Sequence, residues 1–190
     1  MASKGIDIQW DDSEATEQMR RQAKWLSPHE LAKAGAAAIN RAARTAHTHG
    51  ARAVRGELAL KQSTIKSKIK RSRATPANVE ATLDFDYSPI PLKEYGARQI
   101  ARGVSFRVKR SGGRQTMRQW FINNAIGGHA FRRKRSGDGR VPRLPIIKGM
   151  GPSVGSQLER ARPVMDAKVE ETIEKRMRHE IDRRVKRANR

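Results

Sequence analysis

The sequence contains no cysteine, few aromatic residues and no long hydrophobic run. Without cysteine there are no disulfides, no thiolate catalysis and no cysteine-ligated metals. The longest run without a charged residue is the 13-residue segment 119–131, well short of the ~20 apolar residues that span a bilayer. The first residues also lack the apolar stretch of a secretory signal. These features predict a protein made and kept in a cytosol, with no membrane partner.

Positive charge is what the sequence has in excess. Its 190 residues include 41 Lys or Arg against 19 Asp or Glu, which gives a formal net charge of +22. The excess lies in two blocks, +10 over residues 31–75 and +13 over residues 96–150. For a single basic run such as 132–135, a solvated loop is as good an explanation as a bound partner. For two basic blocks, a solvated loop is the weaker explanation. Because self-repulsion on this scale destabilises a fold, the charge predicts a polyanionic partner, first of all nucleic acid.

The N-terminal part is predicted to be mainly helical. Alternation at Ile6–Trp10 predicts a short strand, and acidic residues followed by basic ones predict a helix over residues 13–26. Segment 27–30, Ser-Pro-His-Glu, is a capping box that predicts a helix from Pro28 to about Arg55. One face of this helix carries small residues suited to close packing, Ala38, Ala42 and Ala46 among them. Another face is basic and carries Lys33, Arg41, Arg44, Arg52 and Arg55.

The middle of the chain is predicted to form strands after a second, basic helix over Glu57–Arg73. Residues 79–85 alternate apolar and polar side chains, as a half-buried strand does. A strand over Val104–Val108 is expected to form a hairpin with Met117–Asn123. A further strand is expected near residues 130–133, then a glycine-containing loop over 135–140 and an edge strand over 144–147.

A long C-terminal helix is predicted from about Gln157, kinked or restarted at Pro163. Its apolar residues recur every fourth position, at Met165, Val169, Ile173, Met177, Ile181 and Val185. The fold class is therefore α+β, with N-terminal helices packed on a small antiparallel β-sheet and a long C-terminal helix. We expect one domain over residues 1–190, with a helical part (1–75), a β-sheet part with the basic loop (76–148) and the C-terminal helix (153–190).

Catalytic patterns are missing from the sequence. His47 and His49 are two residues apart on a predicted helix and so point in different directions, and no HExxH, P-loop or nucleophile elbow occurs. Asp84 and Asp86 share the solvent face of a predicted strand. Polar residues at such positions are typical of a half-buried strand and do not by themselves indicate a metal site. Nine aromatic residues are too few to favour base stacking. We therefore predict no enzyme, no cofactor and no metal site.

Several short motifs carry a resemblance to a known family. Segment 36–46 (AAAINRAARTA) precedes the basic second helix, and it is followed in order by Ile90-Pro91-Leu92, the aromatic strand 120–122, segment 128–133 (GHAFRR) and segments 144–146 and 151–154. In this order the motifs resemble the phage minor tail protein Z family, the tail-completion proteins of lambda-like phages. The heavy load of Arg and Lys over residues 132–143 departs from the family pattern.

The resemblance implies a structural virion protein at the head-proximal end of the tail, made and assembled in the bacterial host cytoplasm. It implies a homo-oligomeric ring matching the sixfold tail tube, with a hexamer favoured, that completes the tail and helps to join it to the head. Its expected partners are the tail terminator or tail tube, the head–tail connector proteins and double-stranded DNA. Basic residues in such a ring would contact phosphates without reading sequence.

Two sets of site residues follow from this reading. The residues predicted to contact DNA phosphates are Arg132, Arg133, Lys134, Arg135, Arg140, Arg143, Arg107, Lys109, Arg110, Arg41, Arg44, Arg52 and Arg55. The residues predicted to pack subunits together are Ala38, Ala42, Ala46, Met165, Val169, Ile173 and Met177.

Two other functions are kept open by the sequence. A standalone RNA- or DNA-binding protein of ribosomal or nucleoid type fits the charge equally well, and subunit symmetry would separate it from a ring protein. A nuclease acting on packaged DNA would need carboxylates that folding brings together, because the sequence contains no catalytic motif.

Overall fold

The computed structural model describes the backbone of residues 5–9 and the whole of residues 26–137 and 139–188. Its helices are α1 (Pro28–Glu57), α2 (Gln62–Ser67) and α3 (Val154–Ala188), with short 3-10 turns at Leu92–Tyr95 and Asn124–Ile126. Its strands are β1 (Gly5–Gln9), β2 (Ile69–Arg71), β3 (Glu80–Phe85), β4 (Ile90–Pro91), β5 (Arg98–Ile100), β6 (Gly103–Phe106), β7 (Gln115–Met117), β8 (Trp120–Asn123), β9 (His129–Arg133), β10 (Ile146–Lys148) and β11 (Met150–Gly151).

The chain divides into two compact units, each assembled from separate segments. The first unit contains residues 1–50, 69–85 and 160–190, and the second contains residues 51–68 and 86–159. Helices α1 and α3 each contribute residues to both units. The expected single tail-completion domain with its three consecutive parts stays a prediction.

The first unit contains a three-stranded antiparallel sheet in the order β1-β3-β2. In the central strand β3, Ala81, Leu83 and Phe85 are buried while the residues between them are half-buried. Side chains alternate across a strand, so this pattern places one face of β3 in the core. The strands predicted at residues 6–10 and 79–85 are thus confirmed as β1 and β3, whereas residues 13–25 of the predicted first helix lie outside the described residues.

Helix α1 begins where its sequence predicts. The Ser27 hydroxyl accepts a hydrogen bond from the Glu30 amide at 3.3 Å, and the Ser27 carbonyl accepts one from Leu31 N at 3.0 Å. The Glu30 carboxylate contacts Lys33 at 2.7 Å and Arg184 of α3 at 3.3 Å. The serine half of the capping box is therefore formed, and the glutamate joins ion pairs on the surface of the first unit.

The small residues of α1 pack against α3 within the first unit. Ala34 and Ala38 form a buried cluster with Met177 and Ile181. Alanine side chains let two helices approach closely, because they add little volume between the backbones. Helix α3 is continuous from Val154 to Ala188 with Pro163 inside it, so it begins three residues before the predicted start and does not restart at the proline.

The second unit is built from three small antiparallel sheets. Their strand orders are β5-β6-β7, β10-β9-β8 and β11-β4. Strand β6 is buried along its whole length. Beside the third sheet lies Tyr95, fully buried, whose hydroxyl donates a hydrogen bond to the Pro152 carbonyl at 2.8 Å.

Changing Tyr95 to Phe is expected to lower the free energy of unfolding by about 1 kcal/mol at neutral pH, the usual net value of one hydrogen bond. Burial raises the pKa of Tyr95 from 10.0 to about 12. As the pH rises through this interval the unfolded chain loses the phenolic proton first, which favours unfolding of the wild type. The cost of Tyr95→Phe should therefore shrink above pH 10.

Urea unfolding of both proteins at pH 8 and above pH 10 measures this difference. Tyr87→Phe is the matched control, because the Tyr87 side chain is exposed and its hydroxyl bonds to Glu159 at the surface. A cost of Tyr95→Phe that stays constant across this pH interval would contradict the assigned burial.

The predicted helix over Glu57–Arg73 is wrong for most of its length. Helix α1 continues through Gly56 to Glu57, only Gln62–Ser67 is helical, and Ile69–Arg71 is strand β2. Backbone pairing explains the difference. Leu58 forms a bridge with Lys109, and Ile69 pairs with Phe85 of β3. A helix with so thin an apolar face is marginal alone, so these long-range strand pairs replace it.

The predicted hairpin after Val108 is corrected in its second strand. Strand β6 pairs with Gln115–Met117, not with Trp120–Asn123, and the latter is the separate strand β8, which pairs with β9. Gln119, with a φ of 63°, lies in the left-handed region at the break between the two strands. The strand predicted at 144–147 is found as β10, which begins two residues later and ends one residue later.

The predicted fold class is confirmed, because the chain combines helices, small antiparallel sheets and a long C-terminal helix. Within residues 26–137 and 139–188, no helix is both long enough and apolar enough to cross a bilayer.

Candidate nucleic-acid interface

A basic arm extends from the sheet β10-β9-β8. Strand β9 lies between β8 and β10, so that Arg132 is flanked by Trp120 on one side and Ile147 on the other. The pairing continues past the strand ends, where Lys134 N donates to the Pro145 carbonyl at 2.9 Å. The chain turns back near residue 136, where Ser136 N donates to the Arg140 carbonyl at 2.8 Å. We define residues 132–145 as the basic arm.

Every described side chain of the basic arm is exposed, that is, residues 132–137 and 139–145. The Arg132 guanidinium lies over the Trp120 ring, 5.8 Å from its centroid. This cation–π contact orients one cation at the base of the arm. The structure thus places six of the predicted phosphate contacts on one exposed segment, namely Arg132, Arg133, Lys134, Arg135, Arg140 and Arg143.

An open cleft of about 550 Å³ lies beside the arm. It is lined by Arg118, Gln119, Trp120, Phe121, Arg132, Arg133, Lys134, Arg135, Val141 and Ile147. None of these lining residues carries a carboxylate, and Asp138 is the only acidic residue between Glu94 and Glu159. The cleft therefore combines five cations with an aromatic and aliphatic wall, an arrangement that attracts phosphate oxygens and excludes cations.

A neutral histidine lies at the other end of the same sheet. Lys148 Nζ is 3.1 Å from His129 Nε2. Burial, followed by the nearby charges of Lys148 and Lys93, lowers the pKa of His129. At neutral pH the ring is therefore uncharged and accepts a hydrogen bond from Lys148, so it adds no charge to the interface.

The three predicted contacts at residues 107–110 lie in an exposed turn after β6. The Arg107 side chain folds this turn, because its Nε donates to the carbonyls of Lys109 (3.2 Å) and Gly112 (2.9 Å) and its terminal nitrogen donates to Arg110. The Arg110 Nε lies 3.4 Å from the Leu58 carbonyl. Lys109 is exposed. Arg107 thus donates to carbonyls within its own turn, and Arg110 lies against the backbone of Leu58. Phosphate contact by all three residues stays a prediction.

The predicted basic stripe of α1 is divided between the two units. Arg41 and Arg44 are exposed in the first unit, where they line an open groove of about 390 Å³. Arg52 and Arg55 are exposed on the last turns of α1 in the second unit, and Arg55 donates to the Gln62 side chain at 3.1 Å. Phosphate contact by these four residues also stays a prediction.

The residues predicted to pack subunits together lie mostly in the core of the chain itself. Those that are fully or nearly fully buried are Ala38, Ala42, Ala46, Met165, Val169 and Met177, while Ile173 is half-buried. A side chain buried within its own chain offers little surface to a second copy. Packing within the chain accounts for the regular spacing of these small and apolar residues. Packing between subunits stays a prediction, and the burial of these residues does not support it.

Several residues of these surfaces, three arginines and one tryptophan, were missed by the sequence prediction. Arg118 and Trp120 line the cleft beside the arm, and Arg73 and Arg176 line the groove of Arg41 and Arg44. Arg118 and Arg73 lie in the two basic blocks, so the charge pattern could have indicated them. No local pattern marks Arg176, which reaches the groove only because α3 packs near α1 in the first unit.

Within residues 26–137 and 139–188, no group of three or more His, Asp or Glu side chains is placed to hold a metal ion. The cleft beside the basic arm has five cations and no carboxylate among its described lining residues. This arrangement is suited to binding polyanions.

Comparison with known proteins identifies the family. Searches of curated proteins and of solved structures found no significant match. The family model described as prophage minor tail protein Z matches residues 15–189, which is nearly the whole chain. The protein therefore belongs to the prophage minor tail protein Z family and is a structural component of a phage tail.

Proposed function

We propose that the protein completes the tail at its head-proximal end, forms a ring around the DNA path and helps to join the tail to the head. The observation that carries the DNA contact is the basic arm with its adjacent cleft, whose described lining residues include five cations and no carboxylate. Membership of a tail protein family makes the DNA of the particle the nearest polyanion.

Ring formation gives the exposed charge a physical purpose. Duplex DNA carries about one negative charge per ~1.7 Å of its axis, so a single arm would neutralise only a short stretch. In a ring each cation is repeated by the number of subunits, and the contacts are made to the backbone without regard to sequence. A hexamer is favoured, because it would match a sixfold tail tube.

The proposed partners are the tail terminator or tail tube on one side, the head–tail connector proteins on the other, and double-stranded DNA between them. Assembly would take place in the cytoplasm of the bacterial host. In this role the protein needs no cofactor and catalyses no reaction.

A symmetric reconstruction of the neck of the phage particle tests the proposal. We expect a closed ring of this chain between tail tube and connector, with the basic arm as its nearest approach to the DNA. A position at the tail tip, or a single copy in the particle, would overturn the ring. A different result would support a standalone nucleic-acid-binding protein: the purified protein stays monomeric, binds RNA or DNA tightly and does not bind tail tubes.

A further inference from the structure

Four arginines from three segments of the first unit line one groove, which we name the arginine groove. Arg41 and Arg44 come from α1, Arg73 follows β2, and Arg176 comes from α3. The groove is open, has a volume of about 390 Å³ and is completed by Ala37, Asn40 and Glu180. Residues from three segments meet here only through folding, so the cluster is a product of the tertiary structure.

The backbone that carries Arg73 is held from both sides. The Asn40 side chain donates to the Ala74 carbonyl at 2.8 Å and accepts from the Ala74 amide at 3.1 Å. On the other side, the Ser72 amide donates to the Thr82 carbonyl at 3.0 Å. A bidentate amide contact of this kind fixes a loop at one place on a helix. Arg73 is therefore anchored next to Arg41 and Arg44.

The positive charge of the groove is not balanced by the acidic side chains described around it. Its one carboxylate, Glu180, already contacts Arg184 and, at 2.7 Å, Arg183. Next to the groove residues, Arg71 has its pKa lowered by burial and then by the charges of Arg44 and Arg73. Cations that repel one another at close range are stabilised when an anion binds between them.

We propose that the arginine groove is a binding site for a phosphate group, either free or as part of a phosphodiester backbone. Each guanidinium presents a planar fork of donors that matches phosphate oxygens, and four arginines line this one groove. A single carboxylate, with two oxygens and one charge, would leave most of these donors and charges unmatched. The site lies outside the basic arm and does not depend on the DNA contact proposed for the arm.

Calorimetric titration of the full chain with inorganic pyrophosphate, at fixed ionic strength in chloride, tests the site. Arg73→Ala with Arg176→Ala is expected to weaken binding at least about tenfold, because two guanidinium forks are lost. Arg73→Lys with Arg176→Lys should give an intermediate loss, since charge is kept and the fork is not. The matched control, Lys70→Ala with Lys175→Ala, removes two exposed cations from β2 and α3 outside the groove and should change binding less than about twofold.

Circular dichroism and urea unfolding establish that each variant is folded. If the double alanine variant does not fold, the single change Arg176→Gln at a half-buried position of α3 takes its place, with Lys175→Gln as its control. Equal affinity for pyrophosphate in groove and control variants, or no saturable binding by the wild type at millimolar pyrophosphate, would overturn the site.

A second titration with a short DNA duplex identifies the source of the phosphate. Weaker duplex binding by the groove variants, together with weaker pyrophosphate binding, assigns the site to the DNA backbone. Weaker pyrophosphate binding with unchanged duplex binding assigns it to a free anion. Both results support the phosphate site, and neither depends on whether the arm contacts DNA.

Discussion

Changing Arg132, Arg133, Lys134 and Arg135 together to Ala is expected to abolish most sequence-independent DNA binding while the protein stays folded. Each phosphate contact contributes about 0.9 to the slope of log affinity against log salt, so the loss of four contacts lowers the slope by up to ~3.6. Surface substitutions usually change the free energy of unfolding by about 0.5 kcal/mol or less. The additional loss of the Arg132–Trp120 contact costs about 0.5–1 kcal/mol.

Binding of duplex DNA over a range of salt concentrations measures this slope, and phage complementation measures infectivity. The matched control changes four exposed cations of α3 to Ala, namely Lys175, Arg178, Lys186 and Arg187. It removes the same charge from another place. An equal decrease of the slope in both variants would mean that only net charge matters, and an unchanged slope in the arm variant would make residues 132–135 a solvated segment.

The sequence predicts where the basic arm lies along the chain, but it does not predict which residues surround the arm in the folded protein. The run 132–135 and the glycines that follow predict an exposed basic loop, and residues 132–137 are exposed. Trp120 is twelve positions away along the chain and reaches Arg132 through pairing of β8 with β9. Register between strands depends on which faces are buried, so the cleft and its aromatic wall follow only from the folded sheet.

Local signals explain why α1 and β3 were predicted closely. The cap at Ser27 is formed by residues three positions apart, and the alternation of β3 repeats every second residue. Both patterns are complete within one element. Burial follows the pattern as well, because Ala38, Ala42 and Ala46 repeat on one face of α1 and all three are buried.

Segment 57–73 and the arginine groove could not be predicted, because each depends on partners far along the chain. Ile69 pairs with Phe85, and this pairing replaces a helix that its own residues support only weakly. Arg176 joins Arg41 and Arg44 across more than a hundred residues. The periodicity of residues within one helix or strand contains no information on such long-range contacts.

The base of the arm depends on one glycine that holds two strands and an aromatic side chain together. Gly149 lies between β10 and β11, its amide donates to the Ala130 carbonyl at 2.8 Å, and its carbonyl accepts from Leu92 N at 3.0 Å. A Cβ at this position would lie 2.5 Å from the Trp120 ring and 2.8 Å from a methyl group of Leu92. Leu92 is buried and Trp120 is half-buried, so a methyl group at this position must displace one of these side chains or shift the backbone.

Changing Gly149 to Ala is therefore expected to lower the free energy of unfolding by roughly 1–3 kcal/mol, as overpacking does. The displaced Trp120 should also lose its contact with Arg132, so part of the DNA affinity is lost even though no charge is removed. Gly137→Ala is the matched control, because nothing lies within 4 Å of a Cβ at that position on the arm. Urea unfolding followed by Trp fluorescence, together with duplex binding, measures both effects. Equal stability in the two variants would contradict the close packing around Gly149. Equal DNA affinity would show that DNA binding by the arm does not depend on this packing.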